Sequence, residues 1–484
     1  MEYITTIGLE VHVQLKTRSK MFCASRVEFG AEPNTNTCPI CIGLPGALPV
    51  MNHEALRMTV LAGLMLGCDI APMCKFDRKN YFYPDMPKNY QISQYDMPLC
   101  TNGSVPLHDL AYPKDAQKNI ATSDKEVHLV RIHLEEDVAK SFHFENSTGI
   151  DFNRAGTPLR EIVTQPEINS PEEAFAFLTA LKQILIYGEV SDADMEKGQL
   201  RCDCNISVRG ETQTEFGAKI EIKNLNSISG VRRALAYEIQ RQVSALESGE
   251  QLEQETRGWD DAAGETFLMR TKESAHDYRY FPDPDLVPVK TDALVAEVRD
   301  RVPELPKPKR ARFVQQYQVS PYDAAVLAND LELAKYFEAA AKGAKKPKNI
   351  ANWILNDLQN ALGAAGKNIH DCPIAPEALD ELVNLIDSGK ISGKQAKAVF
   401  AEMFATGKRA AAIVKEKGIE QLSDSSAIEA LCDEVIAANP KPVADLKAGN
   451  VASLNFLKGQ VIKLSKGKAN PQLLGEILER KLKV

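Results

Sequence analysis

Glu10 and His12 stand two apart in Ile7-Gly8-Leu9-Glu10-Val11-His12-Val13-Gln14-Leu15, where every odd position is apolar and the even ones are Gly, Glu, His and Gln. That period of two predicts a strand with one face in a core and the other polar. Side chains at i and i+2 lie on one side about 6.6 Å apart, so a divalent ion or shared ligand could touch both. The bland alternative is a strand with a solvated polar face. A second alternating run, Val127 to Asp137, puts Val130, Ile132 and Leu134 on one face and Arg131, His133 and Glu135 on the other, and closes on Glu135, Glu136 and Asp137. Clustered carboxylates repel one another, so such a group is either open to water or gathered around a cation such as Mg²⁺. Glu161 sits amid Leu159, Ile162 and Val163. Burying it unpaired would be costly, and a metal or a basic partner is the remedy.

Alternation in Arg201 to Ser207 places Arg201, Asp203 and Asn205 on one face and Cys202, Cys204 and Ile206 on the other, where the cysteines read as core. Lys219 to Asn224 alternates in the same way and carries Glu221. Two aromatic stretches, Lys79-Asn80-Tyr81-Phe82-Tyr83-Pro84-Asp85 and Asp277-Tyr278-Arg279-Tyr280-Phe281-Pro282-Asp283, interleave rings with cations and acids. Such segments stack on a base or simply cover a loop. Cys38 and Cys41 have zinc-knuckle spacing with Cys23 upstream, but no fourth cysteine follows in the expected place. Gly389 to Gln395 reads Gly-Lys-Ile-Ser-Gly-Lys-Gln, so nothing fits a phosphate loop ending in Gly-Lys-Ser or Gly-Lys-Thr, and no Gly-x-Ser-x-Gly elbow occurs.

The elements that must position these residues divide along the chain. A length of 484 residues exceeds one core and implies several domains. The first part, to about residue 293, mixes short alternating runs with helical patterns at Pro171 to Tyr187 and Val231 to Leu246, a sheet-rich α+β domain. Beyond a Pro-punctuated stretch the composition turns to Ala, Leu, Lys and Glu, with helical segments at Pro321 to Lys342, Asn349 to Leu362, Pro376 to Asp387 and Gly393 to Ala405. We expect domains at 1–293, 294–406 and 407–484, the last a small basic helical tail. The final 44 residues hold eight Lys and one Arg against three acids, a local +6 within a net charge of −8. That asymmetry points to a polyanionic partner, the alternative being a solvated Lys-rich face. No apolar run approaches the ~18 residues needed to cross a bilayer, which excludes a membrane-spanning helix. Scattered cysteines and an unremarkable N-terminus lead us to expect reduced thiols and a cytoplasmic location, or an organellar matrix in a eukaryote.

Taken together, Gly8-Leu9-Glu10-Val11-His12, Lys79 to Asp85, Leu134-Glu135-Glu136-Asp137, Asn153-Arg154-Ala155-Gly156-Thr157-Pro158-Leu159 and Asp277 to Pro282 resemble the B subunit of the aspartyl/glutamyl-tRNA amidotransferases, in the family's order and almost end to end. The chain lacks the large insertion of the archaeal glutamate-specific relative. The resemblance implies a cradle-like catalytic domain followed by helical domains. It also implies a two-step reaction: ATP phosphorylates the side-chain carboxylate of Glu-tRNA(Gln) or Asp-tRNA(Asn), and ammonia then displaces phosphate. By the family match, Glu10, His12, Glu136 and Glu161 are catalytic candidates, and with Glu135 they form the Mg²⁺ set. Tyr81, Tyr83, Asp203, Asn205 and Glu221 are the nucleotide-pocket candidates. Ammonia has to come from a separate amidase, the A subunit, with a small C subunit completing a heterotrimer. Ser25 stands where many relatives carry a cysteine, so zinc at Cys23, Cys38 and Cys41 is set behind an empty site. Two rival readings are a metal-dependent ATP ligase or kinase on a free small carboxylic acid, and a noncatalytic RNA-binding assembly factor.

Overall fold

The computed structural model describes residues 2–120, 125–271, 277–419, 425–447, 450, 452–465, 469 and 471–482. The chain divides into two compact units, Met1–Pro306 and Lys307–Val484.

The first unit is built on a ten-stranded sheet. The principal strands of the unit, with shorter ones between them, are β1 (Tyr3–Gln14), β2 (Asp77–Asn80), β3 (Tyr90–Ser93), β4 (Glu126–Glu136), β5 (Pro158–Thr164), β6 (Leu200–Gly210), β7 (Ile220–Lys223), β8 (Glu255–Asp260) and β9 (Glu265–Thr271). Strands β9, β8, β7, β6, β1, β5 and β4 lie side by side in that order, and β2 and β3 pair in a separate three-stranded sheet. Pairing is antiparallel except between β7 and β8. β1 is therefore a central strand, flanked by β5 and β6. Ile7, Leu9, Val11, Val13 and Leu15 are buried to within 1% of full exclusion, as the alternation requires.

Four helices, α1 (His53–Met65), α2 (Pro171–Tyr187), α3 (Ile228–Glu247) and α4 (Asp292–Arg299), contribute apolar residues to the same core as β1. Each of the first three begins at a side-chain cap. Asn52 accepts from the amides of Glu54 and Ala55, Ser170 from that of Glu173, and Ser227 from that of Gly230. With helices on the apolar face, the opposite face of β1, β4, β5, β6 and β7 is left to polar side chains.

The second unit is all helical and holds two apolar clusters. One, from Phe313 to Val414, gathers the helices Pro306–Tyr317, Pro321–Leu327, Leu331–Ala341, Pro376–Asp387, Gly393–Thr406 and Ala410–Lys417. The expected helix from Pro321 to Lys342 is two, because Asp330 caps a new start by accepting from the Leu333 amide at 2.7 Å. The segment expected at Asn349 to Leu362 includes a wide π-type turn at Trp353–Leu358. The other cluster, from Ile428 to Leu482, belongs to the tail.

The observed divisions depart from those expected. Leu294 and Val298 of α4 are buried in the first core, so the first unit runs past residue 293 to Pro306. Ala410, Ile413 and Val414 belong to the cluster before the tail, so the tail core starts later than residue 407. The mixed sheet and helix of the first unit followed by helices agrees with the α+β expectation. Among the described residues no helix is long and apolar enough to cross a membrane.

Candidate active site

Cross-strand register carries the polar residues to one place. His12 of β1 lies opposite Glu161 of β5 on one side and Arg201 of β6 on the other. Glu161 in turn lies opposite His133 of β4, and Glu135 is two residues further along the same face. Directly opposed side chains in antiparallel strands project to the same side about 5 Å apart. Donor atoms of His12, Glu135 and Glu161 consequently fall within 4.8 Å of one another. They line a cavity of about 250 Å³ with Lys79, Tyr81, Gln91, Asp137 and Arg201.

The electrostatics of this cluster are those of too much negative charge in too little water. The Nδ1 of His12 lies 3.0 Å from the Oε1 of Glu135. Burial alone would lower the His12 pKa, but the hydrogen bond to Glu135 and the charges of Glu135 and Glu161 outweigh it and raise it to about 9. Glu135 moves to about 2, because the bond to His12 and nearby cations overcome its burial. Glu161 shifts upward, through burial and the charge on Glu135. It has Arg131 and His133 only at 3.6 Å. His133, fully buried, is pushed down to about 4 and is neutral at physiological pH. Two carboxylates and an imidazole form a donor set suited to a divalent cation such as Mg²⁺. A cation there would relieve the repulsion that raises Glu161.

A second polar group adjoins the first. The Nδ2 of Asn205 donates to the Oε1 of Glu10 at 2.9 Å. Lys223 bridges Asp203 and Glu221, at 3.2 Å from the latter, and the Thr256 hydroxyl donates to Glu221 at 2.8 Å. Asp203 reaches the cavity lining, whereas Glu10, Asn205 and Glu221 do not. Of the aromatic candidates, Tyr81 lines the cavity, and Tyr83 stacks on it at 4.7 Å between ring centroids.

Glu136 is corrected by the geometry. Consecutive strand residues face opposite ways, so Glu136 points away from Glu135. It takes an ion pair from Lys88 and accepts from the Ile92 amide at 3.0 Å. Its role is to tie β4 to β3 from beneath. Lys79, Arg201 and Tyr278 line the cavity but were not among the candidates read from sequence. The signal for Lys79 was present, as it opens the Lys79-to-Asp85 stretch, and Arg201 shares the polar face of Asp203.

The sulfur atoms of Cys23, Cys38 and Cys41 also converge within 4.8 Å. Among the described residues no further His, Cys, Asp or Glu joins them. Ser25 offers only a hydroxyl, 3.8 Å from the Cys41 sulfur. Structural zinc sites close on four Cys or His ligands, so these three thiols do not complete one.

Sheet and cavity define a domain that gathers carboxylates, an imidazole, a lysine and an arginine over the polar face of an α+β sheet. Comparison with known proteins places it in a family. One described as the GatB/GatE catalytic domain matches residues 5–297, and one described as the GatB domain matches residues 335–482. Full-length relatives, each named as the B subunit of an aspartyl/glutamyl-tRNA(Asn/Gln) amidotransferase, include that of Methylacidiphilum infernorum, 56% identical over 100% of this chain and 99% of the relative. That of Carboxydothermus hydrogenoformans is 51% identical over 99% of each chain, and that of Opitutus terrae 51% over 100% of this chain and 99% of its own. The chain belongs to the B-subunit family of these amidotransferases.

Proposed function

We propose that this chain is the carboxylate-phosphorylating subunit of a tRNA-dependent amidotransferase, acting on Glu-tRNA(Gln), Asp-tRNA(Asn) or both. The observation that carries the proposal is the convergence of His12, Glu135 and Glu161 in one cavity that also receives Lys79 and Arg201. A carboxylate is a poor electrophile, because its carbon is shielded by delocalised negative charge. Phosphorylation by ATP supplies a leaving group, and the difficulty is bringing two anions together. His12, Glu135 and Glu161 would hold Mg²⁺, which when bound would supply neutralisation of the negative charge that the two anions bring together.

The chain's own residues do the rest. Lys79 adds a positive charge at the cavity wall, its ammonium 4.7 Å from the centre of the Tyr278 ring. Arg201 is held by Asp137 at 3.0 Å, which fixes its guanidinium in the lining. The rings of Tyr81 and Tyr278 provide faces for a nucleobase. Ammonia is taken from a glutaminase partner subunit, with a small third subunit completing the assembly.

Reconstitution with the amidase and small subunits, assayed on both mischarged tRNAs, tests this reading. We expect phosphate release from ATP that requires aminoacyl-tRNA, and amide formation that requires glutamine. Phosphate release driven equally well by free glutamate or aspartate would instead support a ligase of small acids.

A further inference from the structure

We infer that Cys38 and Cys41 form a reversible thiol–disulfide pair, a redox-modifiable site beneath the loop that leads into β5. The sequence Cys38-Pro39-Ile40-Cys41 folds as a turn closed by the Ile42 amide on the Cys38 carbonyl at 3.1 Å. That turn brings the Cys38 amide to 3.1 Å from the Cys41 sulfur, and the two sulfurs within 4.8 Å. Cys38 is partly open to solvent while Cys41 is 5% exposed. This is the asymmetry that dithiol exchange uses, an accessible sulfur to meet the oxidant and a sheltered one to resolve the adduct.

Lys20 supplies the second observation. It is fully buried, and its ammonium is directed at the Cys41 sulfur at 3.4 Å and the Phe152 carbonyl at 3.1 Å. Among the described residues no carboxylate pairs with it within 4.0 Å. The Cys41 sulfur is thus held in place by polar groups, with the Lys20 side chain on one side and the Cys38 amide on another. The Ser25 hydroxyl also approaches that sulfur, at 3.8 Å.

With glutathione disulfide as oxidant, the Cys38 thiolate attacks one sulfur, and a first glutathione leaves as thiolate. The Cys41 sulfur next attacks the Cys38 sulfur of the mixed disulfide, and the second glutathione leaves. One sulfur–sulfur bond is broken and one formed, and two electrons pass from the protein to the oxidant. The protons of the Cys38 and Cys41 thiols pass to water and are taken up by the two departing glutathione thiolates.

Oxidation has a structural consequence. The Cys41 sulfur is drawn into the link with Cys38, and Lys20 keeps its bond to the Phe152 carbonyl. From Phe152 the chain runs to Gly156, whose α-carbon lies against Cys41, so that an added Cβ would sit 3.6 Å from the Cys41 Cβ and 3.8 Å from a Glu136 oxygen. Two residues later β5 begins, carrying Glu161. The disulfide should therefore loosen the loop that sets Glu161.

The test treats the full-length chain with glutathione disulfide, blocks residual thiols and maps the digest by mass spectrometry. An intramolecular Cys38–Cys41 link, released by dithiothreitol and absent in Cys38→Ser and Cys41→Ala, is expected. This readout does not depend on the proposed activity. In the reconstituted enzyme, tRNA-dependent phosphate release should fall on oxidation and return on reduction, while Cys38→Ser keeps its activity under oxidant. A stable mixed disulfide at Cys38, a link from Cys23 to Cys41, or one equivalent of tightly held zinc with unreactive thiols would overturn the pair. An equal loss in oxidised Cys38→Ser would overturn its coupling to the active site.

Discussion

Glu135 and Glu136 are adjacent in sequence and serve opposite faces of β4: Glu135 holds the Nδ1 of His12 at 3.0 Å, while Glu136 receives Lys88 and the Ile92 amide beneath the sheet. The pair gives an internal contrast between chemistry and structure. Glu135→Gln should lower tRNA-dependent ATP turnover by about 10³-fold, with a smaller loss of stability than Glu136→Gln produces. Glu136→Gln leaves the largely buried Lys88 ammonium unpaired and should cost about 3–5 kcal/mol in urea unfolding. The reverse pattern, a stability defect in Glu135→Gln and a purely catalytic one in Glu136→Gln, would contradict these roles.

The His12–Glu135 contact also sets a pH dependence. The His12 pKa rises from 6.5 to about 9, so its contribution to stability is full below 6.5 and is lost as pH rises through 9. Glu135 falls from 4.5 to about 2, so its contribution is present above 4.5 and is lost as pH falls through 2. The cation-free chain should therefore lose stability between pH 6.5 and 9, and His12→Gln should lack that decline. Because a cation must displace the His12 proton, Mg²⁺ affinity should rise with pH over the same interval. Chemical unfolding with and without chelator, at a series of pH values, measures both. A cation-free profile flat from 6.5 to 9 would contradict the pairing.

Lys79 comes from β2, outside the ten-stranded sheet, yet lines the same cavity as Glu135 and Glu161. If it stabilises charge on the phosphate being transferred, Lys79→Met should reduce kcat by about 10²–10³-fold with little change in KM for aminoacyl-tRNA. Lys79→Arg should recover part of the loss. A change confined to KM would assign Lys79 to substrate binding alone.

The tail core from Ile428 to Leu482 gathers its own apolar residues. Its described lysines include Lys458, paired with Glu479 at 3.4 Å, and Lys481, paired with Asp433 at 2.7 Å, while Lys466, Lys468 and Lys483 lie outside the described residues. Ending the chain before Ser425 should weaken aminoacyl-tRNA binding and flatten its salt dependence, with the first unit still folded. A cut at residue 407 removes Ala410, Ile413 and Val414 from the preceding core and should also destabilise that core. Unchanged tRNA affinity in the shorter truncation would remove the tail from tRNA recognition.

Much of the fold was legible in the sequence where period and burial coincide. The odd residues of β1 are the buried ones, and the helix Pro171–Tyr187 lies where its Ser170 cap and Pro171 place it. α1 went unread because its apolar run lacks a clear polar stripe, although Asn52 followed by Glu54 was a capping signal. What periodicity could not supply was register. Whether His12 meets Glu161 or a neighbour depends on how β1 and β5 are paired across more than a hundred residues of intervening chain. Grouping Glu135 with Glu136 treated a run of acids as one cluster, when the same alternation that identified β4 separates them. The boundary near residue 293 followed the prolines, whereas Leu294 and Val298 are held by the first core.

If His12, with Glu135 and Glu161, holds the cation on which carboxylate phosphorylation depends, removing the imidazole should abolish that step and leave the assembly standing. The decisive assay is phosphate release from ATP by the reconstituted His12→Ala enzyme in the presence of Glu-tRNA(Gln) or Asp-tRNA(Asn), with subunit assembly checked on the same sample. The expected outcome is an intact complex whose tRNA-dependent phosphate release is lost; an intact complex that still releases phosphate at the wild-type rate would contradict the cation site.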